Sequence, residues 1–301
     1  MQKNNGGNKV ILGGGIAGLL QAYFNPDAVI ITDQIGGQFS AKFQLGPKYL
    51  HVDDSTKRFF EEIDIKPVIK KIKIGFFYDG HIHSENTEEN RKRYFEKTRG
   101  SSTEPYKSVM SANKTEFDSF DIGVDDLIKI IKTKIDNKVI LEKIEGIDLK
   151  NKEILTKSGN LKYEQLISTI PMNTFLFLCD KSNIAKSFQS YSTTFIFSET
   201  LEHCPFNDFE DYDYVYVSET QFAFHRITKV PGGVVFEYKG NNIKSLECEK
   251  DRVEMKVGQL VQNDINIDFK YVKFFGRYAN WRHNVLVNDL LKQLYEINRN
   301  I

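Results

Sequence analysis

Cysteine is scarce. The 301 residues hold three, Cys179, Cys204 and Cys248, far apart and without a C-x-x-C pair. That spacing argues against a zinc site or a disulfide framework and for free thiols in a reducing compartment. Net charge of one sign is absent too, since 41 basic residues balance 41 acidic ones. No global field therefore draws the chain to nucleic acid or an anionic membrane, although a local basic patch would still act. No run approaches the ~20 apolar residues of a membrane-spanning helix. Met1 to Lys9 is polar, without the apolar centre of a signal peptide, so a cytoplasmic protein with no membrane partner is expected. No Ser/His/Asp or Cys/His nucleophile pattern stands out. His81 and His83 lack a third ligand beside them, so they read as hairpin surface and no metal site is expected.

What the chain does have is glycine in telling places. Val10-Ile11-Leu12 runs as an apolar strand into Gly13-Gly14-Gly15-Ile16-Ala17-Gly18, a G-x-G-x-x-G that opens a helix. Gly13 allows the tight turn, Gly15 lets the backbone approach a pyrophosphate, and Gly18 lets helix and strand pack closely. The helix N-terminus then points its free N–H groups at the phosphates. A second apolar strand, Ala28 to Thr32, ends at Asp33, twenty positions after Gly13. An acid there binds the ribose of a dinucleotide; the alternative is a solvated strand end.

Farther along, Gly36-Gly37-Gln38 makes a second glycine turn, and Asp53-Asp54-Ser55 caps a helix carrying Phe59, Phe60 and Ile63. Residues 66–84 read as strands around Asp79-Gly80. Residues 85–119 are polar and read as a long loop or exposed helix. Arg91, Lys92, Arg93, Lys97 and Arg99 cluster there among glutamates, the pattern of a solvated face. Leu127, Ile130, Ile131 and Ile135 mark the apolar face of a helix after Gly123. Short strands follow at 138–144, 146–148 and 153–156, then Gln165 to Pro171, a buried strand stopped by proline. Residues 191–240 read as several antiparallel strands, and Tyr271 to Phe275 and a helix from about Asn288 to Ile297 close the chain. On a strand His225 and Arg226 alternate, so one of them should face a site.

Four separated motifs resemble those of FAD enzymes of the amine oxidase, protoporphyrinogen oxidase and UDP-galactopyranose mutase type. They are Gly13 to Gly18 with Asp33; Gly36-Gly37; Leu45-Gly46-Pro47-Lys48-Tyr49-Leu50-His51-Val52-Asp53-Asp54; and Phe274-Phe275-Gly276-Arg277-Tyr278-Ala279-Asn280-Trp281. The strand Ile167 to Pro171 also matches the family's strand returning to the FAD domain. The resemblance covers most of an FAD domain in order; the substrate region matches only faintly. Asp33 departs from the usual Glu, Lys48 stands where mutases carry His, and no second G-x-G-x-x-G exists, which speaks against a built-in NADPH domain.

The resemblance implies an α/β fold: a Rossmann-like FAD-binding domain (1–64, 120–175 and 263–301) with an interleaved α+β substrate domain (65–119 and 176–262) carrying an antiparallel sheet. It implies FAD as cofactor, bound by Gly13, Gly15, Ile16, Ala17, Gly18, Asp33, Gly36, Gly37, Gln38, Gly46, Pro47, Gly276, Arg277 and Trp281. At Gly276-Arg277 a strand would meet a helix whose N–H groups face the flavin, with Trp281 and Tyr278 as pocket walls. Lys48, His51 and Arg226 are the catalytic candidates. Lys48 holds a water near the flavin, acts as a base, or is a loop lysine; His51 packs or reaches the ring. Arg226 resembles the mutase arginine on a substrate diphosphate, with a structural ion pair as the equal alternative.

Three activities follow: an amine-oxidase-type oxidation of a C–N bond in a small amine or amino-acid-like group; a non-redox mutase on a nucleotide sugar; or an enzyme on amino-acid-modified thymidine in DNA. The last draws on Lys-, Asn- and Ile-rich usage, which suggests an AT-rich and viral gene acting in a host cytoplasm. It would make a modified nucleoside the substrate and nucleic acid the partner, through the basic run from Arg91 to Arg99.

Overall fold

A computed structural model describes residues 8–40, 48–99, 115–135, 138–200, 206, 208–241, 243, 249–261, 263, 265–282 and 285–299. The glycine-rich start builds the centre of a five-stranded parallel sheet. Its order is β17 (Val272–Phe274), β11 (Gln165–Ser168), β1 (Lys9–Gly14), β2 (Val29–Ile35) and β7 (Val139–Leu141). The inner strands are apolar without alternation because both faces are covered. Ile11, Ile30 and Ile167 point to a layer of three helices: α1 (Ile16–Phe24), α4 (Val124–Ile135) and α7 (Val287–Arg299). Val10, Leu12, Ile31 and Leu166 point the other way. There they meet a three-stranded antiparallel sheet of β8 (Ile144–Asp148), β9 (Glu153–Thr156) and β10 (Asn160–Lys162), and Phe175 of α5 (Met172–Leu178).

The second body is a nine-stranded sheet. Its path runs β16 (Asp251–Leu260), β12 (Ser190–Ser198), β15 (Gly233–Lys239), β14 (Phe224–Val230), β13 (Tyr214–Val217), β4 (Ile69–Tyr78), β6 (Glu116–Phe120) and β3 (Leu50–His51), with β5 (His81–His83) added to β4. One face is apolar: Ile196, Val215, Ile227 and Phe236 pack under Phe206 and Phe209. The register sets Phe76, Tyr216, Arg226 and Glu237 side by side on the opposite face. Helix α2 (Asp54–Glu62) joins the two bodies. Asp53 and Thr56 close a capping box at its start, and Asp53 also accepts 2.9 Å from Asn288 of α7.

Several elements differ from the sequence reading. The polar stretch 85–119 holds the helix α3 (Glu88–Arg99), one of its two expected forms, but also most of strand β6, whose Glu116 and Asp118 turn outward to Lys71 at 3.0 and 3.4 Å. Strand β16 was not expected either: it is an edge strand, so charges such as Glu254 and Lys256 sit on it without needing burial. Strand β2 runs on through Asp33 to Ile35. The helix expected directly after Gly276 is absent. Residues 277–281 form turns, closed by Asn280 N–H to Gly276 O at 3.1 Å, and the helix starts only at Val287.

Candidate cofactor and substrate site

Three chain segments meet at the start of α1. Gly15 is its N-cap, with no side chain to bond the first turn, and that turn carries no acidic residue. The first N–H groups of the nine-residue helix are thus left for an outside acceptor. A methyl group built on Gly15 would meet nothing within 4 Å, so open space lies where a ligand would touch the backbone. Gly37 closes one side, its own Cβ position lying 3.2 Å from Gly15 Cα. Gly276 closes the other, at φ +94°, with a Cβ position 2.9 Å from the Ala17 methyl. Below them the turn is locked by hydrogen bonds. Gly36 N–H donates to Gly14 O at 2.8 Å, Gly14 N–H to Thr32 Oγ1 at 3.0 Å, and Thr169 Oγ1 to Leu12 O at 2.7 Å. Gly13 and Gly18 are in direct apposition: a Cβ on Gly18 would overlap Gly13 O.

The second and fourth motifs are tied by Tyr278, whose hydroxyl donates to Gln38 Oε1 at 2.7 Å. The Arg277 guanidinium lies 5.4 Å over the Tyr278 ring. Ile16 and Ala17 form the first turn of α1, and Asp33 is exposed on β2. Trp281 is buried, donates from Nε1 to Val261 O at 2.8 Å, and meets Phe188 edge-on at 5.5 Å. It anchors the C-terminal turn to the end of β16. Gly46 and Pro47 lie outside the described residues, as do Cys204, Cys248 and the side chain of Arg99.

Lys48 is not the exposed loop lysine of one alternative: it is 6% exposed. Its ammonium lies 5.4 Å from the Phe39 ring centroid, beside the second glycine turn, and its carbonyl accepts from Val124 N–H at the start of α4. Burial lowers its pKa, opposed by Asp125 and Asp126. His51 stacks on Phe117 at 4.3 Å, packing against β6.

Arg226 brings a correction. Simple alternation would turn His225 and Arg226 to opposite faces, but the β14–β15 register shifts between Phe224 and Arg226. A bulge of this kind re-aims a side chain. Both residues now converge on Glu237 of β15: His225 Nε2 is 3.3 Å from Oε1, and an Arg226 terminal nitrogen contacts Oε2. His225 and Glu237 are 3% and 8% exposed. Burial alone would push the Glu237 carboxyl up, but Arg226 and the His225 hydrogen bond hold it at about 2. Burial depresses the imidazole against the pull of Glu237, so His225 is neutral at pH 7. Tyrosines surround the cluster. Tyr94 lies 6.1 Å from His225, Tyr216 5.9 Å from Arg226, and Tyr214 stacks with Tyr49 at 6.0 Å. Burial raises the Tyr278 pKa, opposed by Arg277 and the Gln38 hydrogen bond, and the Glu237 charge adds a smaller push upward.

Lys97 is not on a solvated face either. Its ammonium donates to Val217 O, Glu219 O and Phe224 O at 3.0, 2.6 and 2.7 Å, pinning α3 to the loop that leads into β14. Burial lowers its pKa to about 8, opposed by Glu219. Arg93 is bound to Glu89 and Asp79, and Arg91 donates to Asn86 O at 2.9 Å. Glu237, Tyr94, Tyr214 and Tyr216 were missed in the sequence. Only the aromatic and β-branched strand composition marked the region of Tyr214, Tyr216 and Glu237, Tyr94 lies on α3 in the polar stretch, and nothing local marks a glutamate that an arginine will meet across a sheet. Among the described residues no group of three His, Cys, Asp or Glu side chains could hold a metal, and no helix is long and apolar enough to cross a membrane.

No protein-family model matches the sequence. No curated protein matches it either. Solved structures do match in shape. Reduced UDP-galactopyranose mutase superposes with a TM-score of 0.67 at 15% identity, covering 98% of this chain and 96% of that one. A CLA-producing fatty acid isomerase from P. acnes gives 0.65 at 9% identity, covering 100% of both chains. Wild-type putrescine oxidase bound to putrescine gives 0.62 at 8% identity, covering 98% of both. Three different reactions thus share this architecture, and the site rather than the fold must select among them. The chain has the fold of the FAD-dependent amine oxidase, protoporphyrinogen oxidase and UDP-galactopyranose mutase-like flavoproteins.

Proposed function

We propose that this chain binds FAD and works as an oxidoreductase of amine-oxidase type on a C–N bond of a small amine or amino-acid-like group. The observation that carries the reading is the open, glycine-walled N-terminus of α1, where Gly15 leaves room and no protein group caps the helix. A pyrophosphate fits that donor set, and Asp33 on β2 would hold the ribose. Gly36, Gly37 and Gln38 would lie along the chain leading to the flavin, with Gly276 and Arg277 opposite.

Bound FAD supplies a hydride acceptor. The protein's own part is to deliver the amine in its neutral form, since a protonated nitrogen holds the electron pair that must assist hydride loss. The tyrosine wall and the Arg226–Glu237 pair carry no net charge, so desolvation there favours the neutral amine. The same pair speaks against a mutase: Arg226 is already neutralised by Glu237 and has no charge to spare for a diphosphate. The DNA reading loses support because Arg91, Arg93 and Lys97 are engaged within the protein.

The test is a visible spectrum of the purified protein, then anaerobic addition of amines. Bound oxidised FAD that bleaches with an amine and releases peroxide on aeration supports the proposal. Activity on a nucleotide sugar only after dithionite reduction would overturn it in favour of a mutase.

A further inference from the structure

Besides Glu237 Oε2, which the ion pair to Arg226 holds, two buried polar atoms of the cluster have no hydrogen-bond partner: Nδ1 of His225 and Nε of Arg226. Leaving such atoms unmade costs stability, so a fold that keeps two of them together invites a ligand. Their chemistry is fixed by what they flank. Glu237 is ionised and can only accept, so His225 must carry its proton on Nε2 to bond it at 3.3 Å. Nδ1 is then a bare acceptor. Arg226 Nε carries a hydrogen and is a donor. The bulge that sets both residues on one face is what makes them neighbours.

We propose that His225 and Arg226 form a recognition point for an uncharged donor–acceptor group on the substrate, of the primary carboxamide type. The proposal rests on the amine-oxidising reading and names the second group that the amine must carry. A carboxamide gives an N–H to His225 Nδ1 and a carbonyl to Arg226 Nε. A carboxylate or a diphosphate offers acceptors only. It would set one acceptor against Nδ1, and it would add negative charge next to a glutamate that already balances the arginine.

Isothermal titration of the purified chain, with and without FAD, against glycinamide, glycine and inorganic pyrophosphate tests this. Glycinamide is expected to bind about tenfold or more tighter than glycine, the scale of one buried polar group left unpaired by the wrong ligand. In H225F the preference should shrink to below about threefold. In E237Q with FAD bound, the uncompensated Arg226 should gain pyrophosphate binding. Equal binding of glycinamide and glycine by the native protein would mean that internal water serves both atoms, and would overturn the proposal. With FAD bound, so that the start of α1 is occupied, pyrophosphate binding as tight as that of glycinamide would overturn it as well. Should FAD fail to bind, the oxidoreductase reading falls, while the preference measured on the FAD-free protein still decides this one.

Discussion

Replacing Gly15 by alanine should separate folding from cofactor binding. Gly15 sits at φ −72° and ψ 176°, extended backbone that alanine adopts freely. A Cβ there meets no atom within 4 Å, so the folded protein makes room for it at no steric cost. Alanine is a poorer N-cap than glycine by several tenths of a kcal/mol. Against that, it removes unfolded-chain entropy worth about 0.4–1 kcal/mol. The two nearly cancel, so urea unfolding of the FAD-free variant should lie within about 1 kcal/mol of the native value.

Binding should respond very differently. The methyl stands where a phosphate must approach the α1 N–H groups. Losing two charge-assisted bonds at ~1.5–3 kcal/mol each gives ~3–6 kcal/mol. That is about two to four decades in Kd, read by titrating FAD and following flavin fluorescence. Gly276→Ala is the control, because the φ there is +94° and the new methyl would lie 2.9 Å from that of Ala17. Left-handed strain of ~1–2 kcal/mol and overpacking of ~1–3 kcal/mol should weaken the fold itself, with or without FAD. If Gly15→Ala bound FAD within about threefold of native, or unfolded as easily as Gly276→Ala, the open N-terminus would not be the phosphate site.

Glu237→Gln breaks a buried pair and leaves Arg226 charged and uncompensated. Urea unfolding should show a loss of ~3–5 kcal/mol, and a loss under ~1 kcal/mol would contradict the pairing. The same glutamate sets an acid limb. Its folded pKa of about 2 lies below its ordinary 4.5, so its stabilisation is complete above 4.5 and fades as pH falls toward 2. Melting temperature followed across that range should fall in the native protein, and this component should be missing in Glu237→Gln. Lys97→Met removes the donor shared by three carbonyls at the end of α3. The fold should lose ~2 kcal/mol or more, with hydrogen exchange in α3 speeding up first. Unchanged exchange in α3 would mean that the lysine does not pin it.

The glycine turn between β1 and α1 was legible in the sequence because its parts are local. A strand, a G-x-G-x-x-G and a helix in one short run specify that turn, so residue spacing alone carries the information. Gly36-Gly37 and Gly276-Arg277 are each a few residues long and recognisable singly; their meeting at Gly15 and Ala17 follows from the parallel sheet that spacing already implied. The amphipathic helices were equally visible, since Leu127, Ile131 and Ile135 recur with the helical period.

The polar cluster at Glu237 was not legible, because it is made across strands. His225 and Arg226 look like an ordinary alternating pair, and only a register shift against β15 turns both toward Glu237. That shift depends on how two strands pair, which no spacing within either strand records. Lys97 reads as a surface charge because lysine usually is one, and Lys48 as either a site residue or a loop lysine; what buries them is three carbonyls from a neighbouring loop in the first case and Phe39 and α4 in the second. By itself, then, the sequence determined the glycine turn that opens α1, since backbone conformation at glycines is a local property. Tertiary structure alone decided the charge balance at Arg226 and Glu237, since a buried ion pair exists only once the two strands that carry it are side by side.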